Sequence, residues 1–451
     1  MPVDSVVNYI VGLLDEAAPD LPPTIQNVVK ELGRITRPIA LSVKAEVLAT
    51  AASPLFNGNS DYSNFKDKDG INLFPAAADP QKWVRAADAC KTAIDDCEAQ
   101  GMQLYTFTPP AIIGQLSDSL KKVLTIQNAV TERWELNPEV IWAQSPEFGY
   151  QGLAATRLTA KSVINGFSSA GTFAVPISTT ELFYTDKGVP INEDNTWDYA
   201  NRYNLQTGDD ANRYYIKNGY VTAKTNFKRE PRYYANLAFD GGVYFGNGKL
   251  TQDDPYFVQG RGNSSYAGPH DRQWLNITGY WPKKLINYLT VYDENFSRQP
   301  FRLPVMRLAG LYLLYAEALN EVNGPSAQVY TYIDKVRTRA GLQGVQTAWS
   351  TWSTNPGKVN SKTGLRQIIH QERRIELCFE AQSGWDLRRW KELQGVLSSP
   401  MQGWSIYETE AVNYYRPRTL IIPVFGLRDY LWPIKNDALI VNPNLVQNPY
   451  W

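Results

Sequence analysis

The stretch that most constrains this chain runs over residues 364–391, with Gln371-Glu372-Arg373-Arg374-Ile375-Glu376-Leu377-Cys378-Phe379-Glu380 at its middle. Read as a helix turning about 100° per residue, it places Leu365, Ile368, Ile369, Ile375 and Phe379 on one face. Glu372 and Glu376 fall between those apolar residues, whereas Arg374 falls on the far side, where an amphipathic helix keeps its charges. An unpaired carboxylate in a core costs several kcal/mol, so such a helix demands cationic partners. Near in sequence are Arg366, Arg373 and the run Trp385-Asp386-Leu387-Arg388-Arg389-Trp390, in which tryptophan faces can stack on guanidinium groups. The expectation is a structural ion-pair network of Glu372, Arg373, Glu376, Asp386 and Arg388 that pins this helix into a helical array.

A catalytic reading of the same pair competes with this one. Two acids that hydrolyse a glycosidic bond must flank it from different directions. Residues i and i+4 of one helix point the same way, which suits a shared ion-pair network better. We therefore expect no catalytic residue, and keep a glycoside hydrolase using Glu372 and Glu376 or loop acids as the alternative.

Composition narrows the remaining chemistry. Lys and Arg number 45 and Asp and Glu number 45, scattered along the chain, so no basic patch for nucleic acid is evident. The chain carries 13 Trp and 27 Tyr but only 2 His, which gives it many flat amphipathic faces for sugars or interfaces and little imidazole. Neither His270 nor His370 stands near a serine elbow or a cysteine that would suggest a triad. Cys90 and Cys97 lie about 10 Å apart along a helix, too far for a disulfide. With Cys378 they are expected to be small buried residues; no His or Cys pair has zinc spacing, and no cofactor or metal is expected.

Taken in order, Asp4 can cap a helix with Val6, Val7, Ile10, Leu13 and Leu14 at three-four spacing, ended by Pro19 and Pro22-Pro23. A second helix carries Ile39, Val43, Val47 and Leu48 into the small residues Ala51-Ala52-Ser53. After a polar loop over residues 57–75, Lys82-Trp83 opens a third, with Ala86, Ala89, Ala93, Ile94 and Cys97 lining a narrow face before Gly101. Such alanine-lined faces suit helix-turn-helix repeats. Asn137-Pro138-Glu139-Val140-Ile141-Trp142 predicts a short extended piece.

From about Ser168 to Arg302 helical spacing fades, and Gly, Asn, Asp and Tyr alternate through a segment too long for one loop of a compact array. Binding residues gather on such excursions from a rigid scaffold. Its richest cluster runs from Asn195 to Tyr203 and on to Tyr220, where aromatics alternate with Asp, Asn and Arg. Sugars need that mix, because their CH faces stack on rings while their hydroxyls are read by amides, carboxylates and guanidiniums. We assign Trp197, Tyr199, Tyr203, Arg213, Tyr214 and Tyr220 as candidate glycan-binding residues, with an aromatic mini-core holding the loop together as the competing reading. Asp194, Asp198, Asp209 and Asp210 could hold calcium, but no EF-hand spacing is present, so solvated loop charge is the preferred reading.

The run Glu372-Arg373-Arg374-Ile375-Glu376-Leu377-Cys378-Phe379-Glu380 with Trp385-Asp386-Leu387-Arg388-Arg389-Trp390-Lys391 resembles the signature helix of the SusD/RagB family, the surface glycan-binding lipoproteins of Bacteroidetes. Arg307-Leu308-Ala309 with Leu313-Leu314-Tyr315-Ala316-Glu317-Ala318 resembles the family's preceding helix. Val336-Arg337-Thr338-Arg339-Ala340-Gly341 resembles its R-x-R-A-G helix end, and Tyr430-Leu431-Trp432-Pro433-Ile434 with residues 442–449 its C-terminus. Arg229-Glu230-Pro231-Arg232-Tyr233-Tyr234-Ala235 resembles a stretch whose arginines are structural. Ser383-Gly384 and Gly310 depart from the pattern.

The resemblance implies a mainly α fold, an α/α superhelix of tetratricopeptide-like helix pairs carrying a long loop-rich insertion with short strands. The expected division is residues 1–165, 166–302 and 303–451: helical repeats, ligand-binding insertion, and helical repeats with the signature helix, forming one unit. It implies a protein that captures an oligosaccharide or polysaccharide at the outer-membrane surface and passes it to a SusC-like TonB-dependent transporter. Membrane attachment would come only through a lipid anchor, and signal peptide, lipidated cysteine and first repeat would precede the point at which this sequence enters the pattern. A tetratricopeptide-type scaffold that binds proteins is a third reading, and a peptide or glycoprotein glycan a fourth.

Overall fold

The computed structural model describes residues 1–164, 166–270, 273–293 and 295–451. Its longer helices are α1 (Val3–Ala17), α2 (Arg37–Ala52), α3 (Gln81–Ala99), α4 (Asp118–Thr131), α5 (Leu308–Asn323), α6 (Ala327–Arg339), α7 (Val345–Trp352) and α8 (Lys362–Glu376). Small residues set how they pack. α2 buries Ala45, Ala49 and Ala52 while α3 buries Ala86, Ala89, Cys90 and Ala93, which lets the two backbones run close together. α3 packs in turn on α5, and α5 on both α6 and α8, so the pairs extend into a stack. α5 accordingly is buried on almost every side from Leu308 to Leu319, with Glu317 the charged residue in that span. The protein is mainly helical, an α/α array of paired helices, and among the described residues its strands form only two-stranded sheets.

The first helix differs from its expected form. Pro2, not Asp4, occupies the N-cap and makes no side-chain bond there, while Asp4 pairs with Lys82 at 2.6 Å. α1 packs mainly against α2 and meets α3 through polar contacts at Lys82 and Arg85, so Val11 is buried but Val6, Ile10 and Leu13 stay at the surface.

The segment between the helical parts is held by rings rather than by long elements. Tyr233, Tyr234, Phe239 and Tyr280 are buried, and the Tyr215 and Tyr234 rings stack at 4.0 Å. Three antiparallel pairs bind it: Leu205–Thr207 with Val221–Ala223, Ala238–Phe239 with Tyr280–Trp281, and Val243–Tyr244 with Tyr256–Phe257. The short helix Pro231–Asn236 and the turn Lys283–Leu285 pack on α4, which ties that N-terminal helix to the insertion. One apolar cluster runs from Val11 through Phe183, Tyr233 and Leu313 to Tyr415. The expected division at residue 165 lies outside the described residues.

The signature helix is shorter than its apolar period suggests. α8 starts on Ser361, whose hydroxyl accepts from the Gly364 N–H at 3.1 Å, and stops at Glu376. Phe379 and Ala381 then take φ of 67° and 61°, a left-handed conformation costing non-glycine residues about 1–2 kcal/mol each. The helical path resumes as α9 (Ser383–Arg389). What the turn gains is Glu380, carried between those two residues into the charge network described next.

Candidate ligand-binding cleft

The carboxylates of α8 are neutralised by arginines from far along the chain. Glu372 lies 2.7 Å from Arg232 of the insertion and accepts from Arg337 at 3.2 Å. Glu376 meets Arg307 at 3.1 Å, Arg339, and Arg232 at 3.5 Å. Glu380 meets Lys284 at 2.7 Å and Arg307 at 2.6 Å. The antiparallel pairing of Val140 with Arg307, between strands Val140–Ala143 and Pro304–Arg307, brings Glu139 to the same guanidinium, and Glu139 also takes Arg339 at 2.9 Å. Burial alone would push the Glu376 carboxyl up, but Arg339, Arg307, Arg232 and Lys284 outweigh it and hold the group well below the usual carboxylate range. With side chains 0% and 2% exposed, Glu372 and Glu376 are out of reach of any substrate.

Two sequence assignments are corrected here. The partners of Glu372 and Glu376 are Arg232, Arg307, Arg337 and Arg339, not the neighbours Arg366 and Arg373; Arg366 pairs with Glu321, and Arg373 with Asp386 at 3.1 Å. Arg389 rather than Arg388 completes that second arm, reaching Asp386 at 2.9 Å and Glu317 at 2.6 Å. The spacing explains it: a residue three further on shares a helix face with Asp386, and one two further on does not. Arg388 points instead to the Tyr430 carbonyl at 3.1 Å and to the Trp432 ring at 4.5 Å.

The other face of α8 borders open space. Gln367, Gln371 and Arg374, at i, i+4 and i+7, line one side of a cleft of about 340 Å³, with His370 and Glu392 beside them. Ser178, Glu181, Leu182, Ile191, Asn192 and Tyr199 of the insertion line the rest. Gln371 joins the two parts by donating to the Leu182 carbonyl at 2.7 Å. Glu181 accepts from Arg202 at 2.6 Å and from the Tyr203 hydroxyl at 2.7 Å, and Arg202 lies 4.0 Å from the Tyr199 ring centre. The His370 ring stacks on Trp390 at 3.6 Å and meets Glu392 at 2.8 Å. Burial pulls its pKa down, yet Glu317 and Glu392 hold it above the ordinary value. The cleft therefore offers amide donors and acceptors, two carboxylates, a guanidinium and one aromatic ring, a lining able to read the hydroxyls of a polar ligand.

Of the six residues assigned from the sequence, only Tyr199 lines this cleft. Tyr203 stands behind it, its ring edge-on to Trp404 at 5.3 Å. Trp197 is half-buried two residues before Tyr199. Arg213 is exposed, paired with Asp210 at 2.9 Å and lying over the Tyr214 ring, and Tyr214 packs against an apolar cluster containing Phe107 and Tyr288. Tyr220 packs on Phe257 and donates to Asp240 at 2.7 Å. The acids read as possible calcium ligands are engaged locally: Asp194 with Thr185 at 2.6 Å, Asp198 with Lys224 at 2.7 Å, Asp209 with Asn212, Asp210 with Arg213. Among the described residues no group of three or more His, Cys, Asp or Glu is placed to hold a metal ion. The sequence did contain a signal for the cleft wall, the polar period of Gln367, Gln371 and Arg374, but that period also describes a helix face turned to water.

Among the described residues no helix is long and apolar enough to cross a membrane. SusD-like protein P25 of Formosa agariphila is 35% identical over 144 residues, which is 32% of this chain and 23% of that relative. SusD-like protein P2 of the same organism is 32% identical over 169 residues, 37% of this chain and 29% of the relative, so the matched stretches span less than a third of the length of each of these two relatives. The solved structure of selenomethionine BT4246 superposes with a TM-score of 0.83 at 26% identity, covering 100% of this chain and 78% of that one. The model of the SusD family matches residues 138–451, a span that holds the strand carrying Glu139's neighbour Val140, the arginines of the network and α8 itself, and on this match the chain belongs to the SusD family.

Proposed function

We propose that this protein binds carbohydrate in the cleft between α8 and the insertion, performs no chemistry on it, and passes it to a SusC-like TonB-dependent transporter at the outer-membrane surface. The observation that carries the reading is the lining of that cleft: Tyr199 opposite the amides of Gln367 and Gln371, with Asn192 and Arg374 beside them, in a protein of the SusD family. Binding needs only contacts there; a stacked ring contributes about 1 kcal/mol, and each net hydrogen bond a similar amount. The hydrolase alternative loses its first candidates, because Glu372 and Glu376 are sealed and ion-paired.

The test is calorimetry or affinity electrophoresis across a panel of soluble polysaccharides, with Tyr199→Ala and Gln371→Ala as variants and an assay for new reducing ends run alongside. The reading expects binding to at least one glycan, weakened by both substitutions, with no reducing ends released. Release of reducing ends, or a panel that stays blank while a transporter is retained in a pull-down, would overturn it in favour of an enzyme or a protein-binding scaffold.

A further inference from the structure

Charge in the cleft is unevenly satisfied. Glu181 is matched by Arg202 and by the Tyr203 hydroxyl, and Glu392 by His370 at 2.8 Å. Arg374 has no hydrogen-bond or ion-pair partner among the described residues, and its Nε is buried without an acceptor. Every other arginine that α8 carries is paired, Arg366 with Glu321 and Arg373 with Asp386. Nε has thus lost water without gaining an acceptor, while the two terminal nitrogens keep access to solvent and present donors suited to a carboxylate or a sulfate. Burial accordingly pulls its pKa below the ordinary arginine value, with Glu392 opposing only in part.

We infer that the cleft takes an acidic saccharide, one whose carboxylate or sulfate pairs with Arg374 while its ring lies among Tyr199, Gln367 and Gln371. This rests on the carbohydrate-binding reading above and adds the charge class of the sugar. The anion supplies the acceptor that Arg374 lacks, and the two carboxylates do not repel it fully because each already faces a cation or a donor.

Calorimetry with three oligosaccharide probes tests it: oligogalacturonate, which carries carboxylates only; carrageenan oligosaccharides, which carry sulfates only; and neutral laminari-oligosaccharides. The intact chain, Arg374→Gln and Arg374→Lys are titrated at low and high salt. The expected result is that one acidic probe binds, that its affinity falls with salt, and that Arg374→Gln weakens it by about tenfold to a hundredfold. Arg374→Lys should recover part of that loss, and binding of the neutral probe should fall far less than that of the acidic one in either variant. Because Arg374 makes no hydrogen bond or ion pair among the described residues, both variants should unfold close to the unsubstituted chain, which separates lost contact from lost fold. Equal binding of neutral and acidic probes, unchanged in Arg374→Gln, would overturn the acidic class and leave carbohydrate binding standing. Failure of every saccharide, in this panel and the broader one, would overturn the carbohydrate reading itself.

Discussion

The Arg232 guanidinium sits 2.7 Å from the Glu372 carboxylate, and both side chains are completely buried. With the bond from Gln371 to the Leu182 carbonyl, this contact joins the loop-rich insertion to α8, across 140 residues of sequence. Arg232 also meets Glu230 at 2.6 Å, so its removal would leave carboxylates in the core with fewer cations. Breaking a buried pair from one side costs about 3–5 kcal/mol, and Arg232→Met is expected to lose stability on that scale. Arg213→Ala, at the exposed pair with Asp210, should lose less than about 1 kcal/mol. Urea unfolding of both variants checks the contrast, and an Arg232→Met protein as stable as Arg213→Ala would refute the role given to the network.

That contact also shows where sequence reasoning reaches its limit. Glu372 and Glu376 could be recognised as buried acids needing cations, because helical period alone places them among Leu365, Ile368 and Ile375. Their partners could not be chosen by proximity in sequence, since Arg232, Arg307, Arg337 and Arg339 arrive through strand pairing and helix stacking. The same limit applies to the ligand surface. An aromatic alternating with polar residues looks identical whether its ring faces water, as with Tyr199, or packs on Trp404, as with Tyr203. The cleft wall on α8 was hidden for the opposite reason: a polar helix face declares only that no apolar partner covers it.

Tyr199 and Tyr203 should therefore separate experimentally. Tyr203 is half-buried, its ring on Trp404 and its hydroxyl on Glu181, so Tyr203→Ala is expected to cost about 2 kcal/mol or more of stability. Tyr199 borders the cleft, so Tyr199→Ala should weaken saccharide binding while moving the thermal midpoint little. Thermal unfolding and calorimetry on both variants decide it. Trp197→Ala, two residues from Tyr199 but outside the cleft lining, should leave binding intact.

Acid should loosen the helical array late and steeply. Arg339 and Arg307 hold Glu376 far below the ordinary carboxylate range against the pull of burial, Arg389 does the same for Glu317, and Arg307 lowers Glu380. A depressed folded-state value means that the native protein releases the proton more readily than the unfolded chain, so the stabilisation is fully present above the ordinary glutamate value. It is lost as pH falls below about 4.3 and through the depressed values. Urea midpoints should change little between about pH 7 and 5 and drop sharply toward about pH 3. A gradual loss on acidification beginning above about pH 6 would refute this account, because His370, whose folded-state value is raised, gains stability over that interval instead of losing it.

His370 titrates with the opposite sign. Its ring is packed flat on Trp390 and held between Glu317 at 3.8 Å and Glu392 at 2.8 Å. Burial lowers its pKa, but the two carboxylates prevail and raise it above the ordinary histidine value. The native state thus holds the proton more tightly than the unfolded chain. The resulting stability is fully present below about 6.5 and disappears as pH rises through the elevated value. His370→Gln should accordingly destabilise the protein more at about pH 5.5 than at about pH 9, because only the protonated ring is favoured by both neighbours. Nuclear magnetic resonance of the imidazole gives the direct readout, with a midpoint above that of a free histidine; a midpoint below it would mean that burial outweighs Glu317 and Glu392. Since Glu392 and His370 both border the cleft, saccharide affinity should shift over the same pH interval, and Glu392→Gln should remove most of that shift by taking away the carboxylate on the exposed side.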